Sequence, residues 1–227
     1  MELSARLKKI AELIPQGSVI ADIGTDHAYI PVYCFLNNIA TRAIAMDVNE
    51  GPLLRAKASL EKYGFVDRAE LRLSDGLERL NSGEADVIVI AGMGGLLIME
   101  ILEKGKSVIN DGTLLILQPM IAPIELREYL YNNGFKIVNE YVEREENKFY
   151  NIFCVTKGHE TLTDENRIIG KNLSINSPDN VSDYVEYKTR VCQKIISGIN
   201  KSEHPDKTLI DKYNHELKTY NLYKENL

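Results

Sequence analysis

The chain has 227 residues, 44% of them hydrophobic and 26% charged, which suits one substantial globular domain with an appendage. Its formal net charge of -6 excludes a protein that grips nucleic acid through bulk positive charge, so any RNA contact must come from local clusters such as Arg6, Lys8 and Lys9. No apolar run reaches the roughly 20 residues that span a bilayer, and residues 1–9 lack a secretory apolar stretch, so a cytoplasmic protein without membrane contact is expected. Leu3, Leu7, Ile10, Ala11 and Ile14 recur at spacings of three and four, predicting an amphipathic helix closed by Pro15-Gln16-Gly17. Strands and helices then alternate: strand 19–23, helix 28–38, strand 42–48, helix 51–63, strand 69–73, strand 87–91, helix 95–103, strand 113–117 and helix 123–133. Continuously apolar strands in such alternation predict a doubly wound, mostly parallel α/β sheet covered on both faces.

Residues 135–141 and 149–156 break the alternation. Joined by a charged linker over 143–148, too short for a crossover helix, they predict an antiparallel pair at one edge of a seven-stranded sheet. Beyond Gly158 the chain turns polar, with a loop expected over 172–180. Val181, Tyr184, Val185, Lys188, Val191, Ile195 and Ile199 then step at three and four, and so do Leu209, Tyr213, Leu217, Tyr220 and Tyr223 after a breaker at 202–205. This predicts a C-terminal helical hairpin of coiled-coil type, dividing the chain into residues 1–158 and 159–227. Cys34, Cys154 and Cys192 are scattered, without C-x-x-C spacing, so buried thiols are expected and neither disulfides nor a metal site.

Three carboxylates fall at successive strand ends: Asp22 in Asp22-Ile23-Gly24, Asp47 beside Val48, and Asp75 beside Gly76. In an open parallel sheet the carboxyl edge is where ligands bind, and a nucleoside-bearing cofactor is the expected occupant. Gly24 permits a tight turn with Thr25 behind it, Asp47 suits ribose hydroxyls, and Asp75 suits an adenine amine with Gly76 leaving room for the ring. A dinucleotide needs glycines at 24, 26 and 29 to seat its pyrophosphate, whereas this chain has Asp26 and Tyr29. A carboxylate there repels phosphate and suits a cation, which favours S-adenosyl-L-methionine, a sulfonium with an ammonium and no phosphate. Its usual Asp/Glu-x-Gly-x-Gly-x-Gly pattern is met only at Asp22 and Gly24.

The segments Asp22-Ile-Gly-Thr-Asp-His-Ala-Tyr-Ile-Pro31, Ala91-Gly-Met-Gly-Gly95 and Gln118-Pro-Met120, preceded by Leu3-Ser-Ala-Arg-Leu7, resemble the bacterial tRNA (adenine-N1)-methyltransferases that act on the adenine at position twenty-two, the TrmK family. The likeness is close over residues 1–158 and looser over the helical tail. It implies a class I Rossmann-like methyltransferase domain, a C-terminal coiled coil, and N1 methylation of an adenine in the D-arm region of tRNA. On this reading Asp26, His27 and Tyr29 are the catalytic candidates: a carboxylate to stabilise the cationic product base, and rings to hold a base turned out of its stack. Asp26 as a helix cap and His27 as a surface residue are the bland alternatives. Gly92 and Met93 are assigned to the donor. Arg6, Gly94, Gly95, Gln118, Pro119 and Met120 are assigned to the substrate, the bland alternatives being strand–helix packing for the glycines and the loop backbone for Gln118. The absence of an Asn/Asp-Pro-Pro-aromatic segment after the fourth strand counts against an N6 product. A methyltransferase of small molecules or proteins and a non-catalytic donor- or RNA-binding module remain the rivals. A monomer or weak dimer is expected.

Overall fold

The computed structural model describes residues 1–227. Five parallel strands, β1 (Ser18–Ile23), β2 (Ala40–Asp47), β3 (Ala69–Leu73), β4 (Val87–Met93) and β5 (Leu114–Pro119), join two antiparallel ones, β6 (Phe135–Glu145) and β7 (Lys148–Lys157). Their order is β3-β2-β1-β4-β5-β7-β6, so strand order reverses between β1 and β4. The helices α1 (Ala5–Glu12), α2 (Tyr29–Leu36) and α3 (Glu50–Tyr63) bury Ile10, Val32, Phe35 and Leu60 against Ile20, Val87, Val89 and Ile116 of one sheet face. On the other face α4 (Gly95–Lys104) and α5 (Pro123–Asn132) bury Ile98, Leu102, Leu126 and Leu130 against Ile44, Met46, Ile88, Ile90 and Leu117. Burial on both faces is why these strands read as unbroken apolar runs, and the expected doubly wound sheet with an antiparallel edge is present.

Two sequence expectations need correction. The charged stretch 143–148 is mostly ladder, not linker: β6 runs on to Glu145, a two-residue turn follows with Glu146 at φ 54, and β7 starts at Lys148. Backbone pairing of Glu143 with Tyr150 and Glu145 with Lys148 sustains the hairpin where its charged side chains reach solvent. The loop expected over 172–180 contains α7 (Leu173–Asn176) and the start of α8 (Pro178–Asn200), whose first position suits a proline because the first N–H of a helix has no intrahelical partner. A further short helix, α6 (Asp164–Ile168), is capped by Thr163 Oγ1, which accepts from Asn166 N at 3.1 Å.

α8 packs beside α9 (Lys207–Glu225) across the connection at 201–206. Both lie on a third apolar cluster in which Ile168, Leu173, Val185, Cys192 and Tyr220 meet Val142 of β6. β6 is the edge strand, and side chains of the tail occupy its backbone groups. Ser177 Oγ accepts from Val142 N at 2.9 Å, Asn180 Nδ2 donates to Val142 O at 3.0 Å, and Asn176 Nδ2 donates to Glu140 O at 3.0 Å. An edge covered in this way offers no free ladder to another chain.

Beneath that cover lies an ion pair. Arg127 of α5 and Glu140 of β6 both have side chains 0% exposed, with Nη2 and Oε1 2.5 Å apart. Arg127 also donates to the carbonyls of Arg167, Ile168 and Ile169, while Glu140 accepts from Asn151 Nδ2 and Lys171 N. Removing one partner strands the other charge in the interior. Glu140→Ala is therefore expected to destabilise the protein by about 3–5 kcal/mol, read as a lowered midpoint in urea unfolding.

Candidate functional site

The site is built where strand order reverses, at the carboxyl ends of β1 and β4. The chain leaves β1 through Gly24 at φ 74 and β4 through Gly92 at φ 76, left-handed values that glycine adopts without a Cβ clash. Gly24 N and Thr25 N both donate to Met46 O, at 2.8 and 2.9 Å, pinning the first turn to β2. A Cβ on Gly24 would collide with the methyl end of Met93, so donor-side glycine and β4 loop approach closely. Between them opens a cleft of about 340 Å³ lined by Arg6, Asp22, Gly24, Thr25, Asp26, His27, Tyr29 and Gly92, among others.

Asp22 lies on the floor of this cleft, 7% exposed. Burial pushes its carboxyl up to about 6, the nearby Asp47 adds to the rise, and Thr25 tempers it. The Thr25 hydroxyl is itself buried without a hydrogen-bond partner of normal geometry. Asp47 sits at the end of β2 with Oδ1 accepting from Asn49 N at 2.8 Å, and Val48 beside it is exposed. Asp75 lies on the surface beyond β3, 3.5 Å from Lys104 Nζ, and Gly76 next to it has φ 55. The structure thus gathers the first, fourth and α1 segments into one cleft. Asp47, Val48, Asp75 and Gly76 stand at neighbouring strand ends outside its lining.

Asp26 is exposed and does not cap α2. Arg55 of α3 holds it, through Nε at 2.8 Å and through Nη2, and His27 Nε2 lies 3.5 Å from its other oxygen. His27 and Tyr29 stack, their ring centroids 4.8 Å apart and planes 6° from parallel. The free carboxylate expected at 26 is therefore a paired one, because α3 brings a guanidinium to it.

The acceptor-side assignments also change. Gln118 is fully buried and hydrogen-bonded within the protein, so it does not offer its amide to a base. Its Oε1 accepts from Arg6 Nη1 at 2.5 Å and from Gly92 N at 3.0 Å, and its Nε2 donates to Pro119 O at 2.8 Å. Arg6 is no solvated phosphate arm: its backbone N donates to Glu145 Oε1 at 2.7 Å and its guanidinium lies 5.2 Å from the Tyr150 ring centroid. Lys9 likewise rests on the Tyr141 ring, and Lys8 lies 3.9 Å from Glu12. Gly95 is buried, and a Cβ there would meet Ala122 O at 2.7 Å, so close packing of two loops requires this glycine. Pro119 is buried beside it, while Gly94 lies under Ile121 and Met120 reaches solvent. Sequence reasoning missed Arg55, Glu145 and Tyr150. Only the strand alternation through 143–150, which places Glu145 near α1 once the hairpin is recognised, signalled any of them.

No group of three or more His, Cys, Asp or Glu side chains is arranged to hold a metal ion, and no helix is long and apolar enough to cross a membrane. A methyltransferase-domain family model matches residues 3–153. The tRNA (adenine(22)-N(1))-methyltransferase of Bacillus subtilis is 46% identical over 158 residues, 70% of this chain and 66% of that protein's length. The crystal structure of the B. subtilis M1A22 tRNA methyltransferase TrmK superposes with a TM-score of 0.87 at 34% identity, covering 98% of this chain and 99% of that one. M. capricolum TrmK, solved with S-adenosyl-homocysteine, superposes with a TM-score of 0.83 at 28% identity over 99% of each chain. A shared sheet, a shared helical tail and 46% identity to the Bacillus subtilis enzyme over 158 residues show that the chain belongs to the TrmK family of class I methyltransferases.

Proposed function

We propose that the protein transfers the methyl group of S-adenosyl-L-methionine to N1 of adenine 22 of tRNA, in the cytoplasm and as a monomer or weak dimer. The observation that carries this reading is the likeness to m1A22 methyltransferases along the whole chain, tail included. Local chemistry supports the donor. Asp22, buried and with its carboxyl raised by that burial, and the orphaned Thr25 hydroxyl form a pocket that gains from a bound cation carrying donors of its own. Asp47 and Val48 hold the ribose and one face of the donor's adenine, Asp75 and Gly76 its amine edge, and Gly92 and Met93 the neighbourhood of the methyl.

When bound, S-adenosyl-L-methionine supplies an electrophilic methyl on a positively charged sulfur. Adenine N1 carries its own lone pair, so the chain need remove no proton before transfer, and its contribution is positioning and electrostatics. The stacked His27 and Tyr29 rings offer a platform for the extruded base. Asp26, oriented by Arg55, faces the positive charge that develops on the ring. Arg6, Gln118 and Glu145 hold the Gly92 turn in place from behind. Residues 159–227 form the tRNA-contacting unit. A groove of about 610 Å³ between the β6–β7 hairpin and α8 offers Arg144, Arg190, Lys194 and the rings of Phe149 and Tyr187, with Asp183 and Glu186 paired to the two arginines.

Mass spectrometry of tRNA nucleosides after reaction tests the assignment. N1-methyladenosine is expected, strongly reduced with Asp26→Ala, and N6-methyladenosine or a methylguanosine in its place rejects the substrate reading.

Donor binding should report the state of Asp22. Below about pH 6 its carboxyl is protonated in the free protein, and a cation prefers the ionised form. Affinity measured by calorimetry should therefore rise about tenfold from about pH 5 to about pH 7 and level off above, and Asp22→Asn should bind weakly with that rise removed.

The tail is tested by charge, since cutting at residue 159 would remove the carbonyls that Arg127 bonds and unsettle the fold. The double variant Arg190→Glu, Lys194→Glu should raise KM for tRNA about tenfold and flatten its salt dependence, with donor affinity unchanged.

A further inference from the structure

Four apolar side chains on the segments that follow β4 and β5 stay largely in water, although Ile121 also borders a groove it shares with Val191 and Ile195 of α8. Ile121 is 66% exposed and Leu96 63%, with Leu97 and Met120 close to half exposed. Two loops carry them, and hydrogen bonds clamp the loops together: Met120 N donates to Met93 O at 2.7 Å, and Gly95 N to Ile121 O at 3.0 Å. The Ile121 side chain lies over Gly94, where an added Cβ would stand 3.7 Å from its Cγ1. Immediately after it, Ala122 has φ 58, a left-handed conformation that strains a non-glycine backbone. Folding alone gains nothing from a strained backbone that thrusts a large aliphatic side chain into water. The patch runs into the Gly92 turn that lines the cleft, so it is continuous with the side of the site from which an acceptor enters.

Adenine N1 lies on the pairing edge, so the target base must leave its stack before it meets the methyl group, and unstacking costs a few kcal/mol per step. A protein offsets that cost by placing an apolar surface where the base was. Aliphatic side chains suit the task because they cover the faces of neighbouring bases without demanding hydrogen bonds. Resting on the reading that the acceptor is an adenine of folded tRNA, we propose that Ile121, backed by Met120, Leu96 and Leu97, is a wedge that stacks against the bases flanking the target as it turns into the cleft.

The test uses the full-length protein, tRNA carrying 2-aminopurine at the target position, and S-adenosyl-homocysteine to hold the complex without turnover. Wild type should raise the fluorescence as the probe base unstacks. Ile121→Ser should bind tRNA within about threefold of wild type, lose most of that rise, and methylate unlabelled tRNA with kcat lowered about tenfold, whereas Ile121→Leu should restore both. Leu96→Ser, on the other loop, should change both readouts in the same direction, and it carries the test if Ile121→Ser fails to bind donor in calorimetry. An undiminished rise and an unchanged kcat in the serine variants overturn the wedge. So does sedimentation of wild type as a dimer that Ile121→Ser dissociates while leaving the fluorescence rise intact. Wild-type reactions that yield no N1-methyladenosine would reject the substrate reading instead, which separates the two failures.

Discussion

The geometry of the molecule hangs on a guanidinium and a carboxylate sealed between the sheet and the tail. Arg127 projects from α5 and Glu140 from β6, and the guanidinium reaches across to three consecutive carbonyls at the end of α6. A charge pair in the interior contributes little net stability over an apolar substitute, but it tolerates only one arrangement. Here that arrangement fixes the tail against the edge strand. α5 begins at Pro123, directly after the loop that carries Met120 and lays Ile121 over Gly94, so the element that anchors the tail is joined directly to the loop at the end of β5. Lys212 of α9, 3.5 Å from Glu125 of α5, adds a second and more exposed tie between the same two parts. Tail and cleft are therefore held in register by packing and charge, and an RNA bound along α8 and β6–β7 would be presented at a set distance from the cleft.

Charge is sorted within the cleft. Its floor is anionic at Asp22, with no cation paired to that carboxylate, and although burial raises the group to about 6 it is ionised at neutral pH and open to a positive ligand. Its wall toward α1 holds Arg6, but Gln118 and Glu145 occupy that guanidinium and Tyr150 lies against it. At the rim Arg55 offsets Asp26. Of the charges lining the pocket, the one left without an opposite partner is thus negative and buried, the condition under which a sulfonium is favoured over a phosphate.

The parallel sheet was legible because strands buried on two faces leave long apolar runs, and the cleft at Asp22, Gly24 and Thr25 because those residues close a strand at the switch in strand order, whereas Asp47 and Asp75 stand outside its lining. Legibility failed where a side chain's partner comes from another element. Nothing near Asp26 announces that Arg55 is its counter-ion, for Arg55 occupies an exposed turn of α3 and could have pointed anywhere. For Gln118 the sequence left a base edge and the loop backbone both open, and the structure favours the backbone, since the Gly92 amide and Arg6 use its oxygen and Pro119 O its nitrogen. Charged residues at 143–148 hid how far the two hairpin strands extend, because an edge ladder is sustained by backbone bonds and does not need the apolar alternation that reveals a buried strand. The short helices α6 and α7 were missed for a similar reason: a single turn carries too few residues to show a period, and Arg127 and the third core hold them in place.

Two loops at the cleft end in the same unusual way. Ala28 at φ 51 precedes α2 and Ala122 at φ 58 precedes α5, and neither helix has a side-chain cap at its start. Each site forgoes a cap worth about 1 kcal/mol and accepts left-handed strain of similar size. What is obtained in exchange is direction, since the residue just before each alanine is turned outward, His27 at the cleft in one loop and Ile121 over Gly94 in the other. The deficit is tolerable because each helix is fastened by its own buried face, Ile30, Val32 and Phe35 in α2 and Leu126 and Leu130 in α5, where burying a single such side chain contributes about 1.5–3 kcal/mol. The packing that offsets the strain of these two turns is supplied by the helix that each one starts.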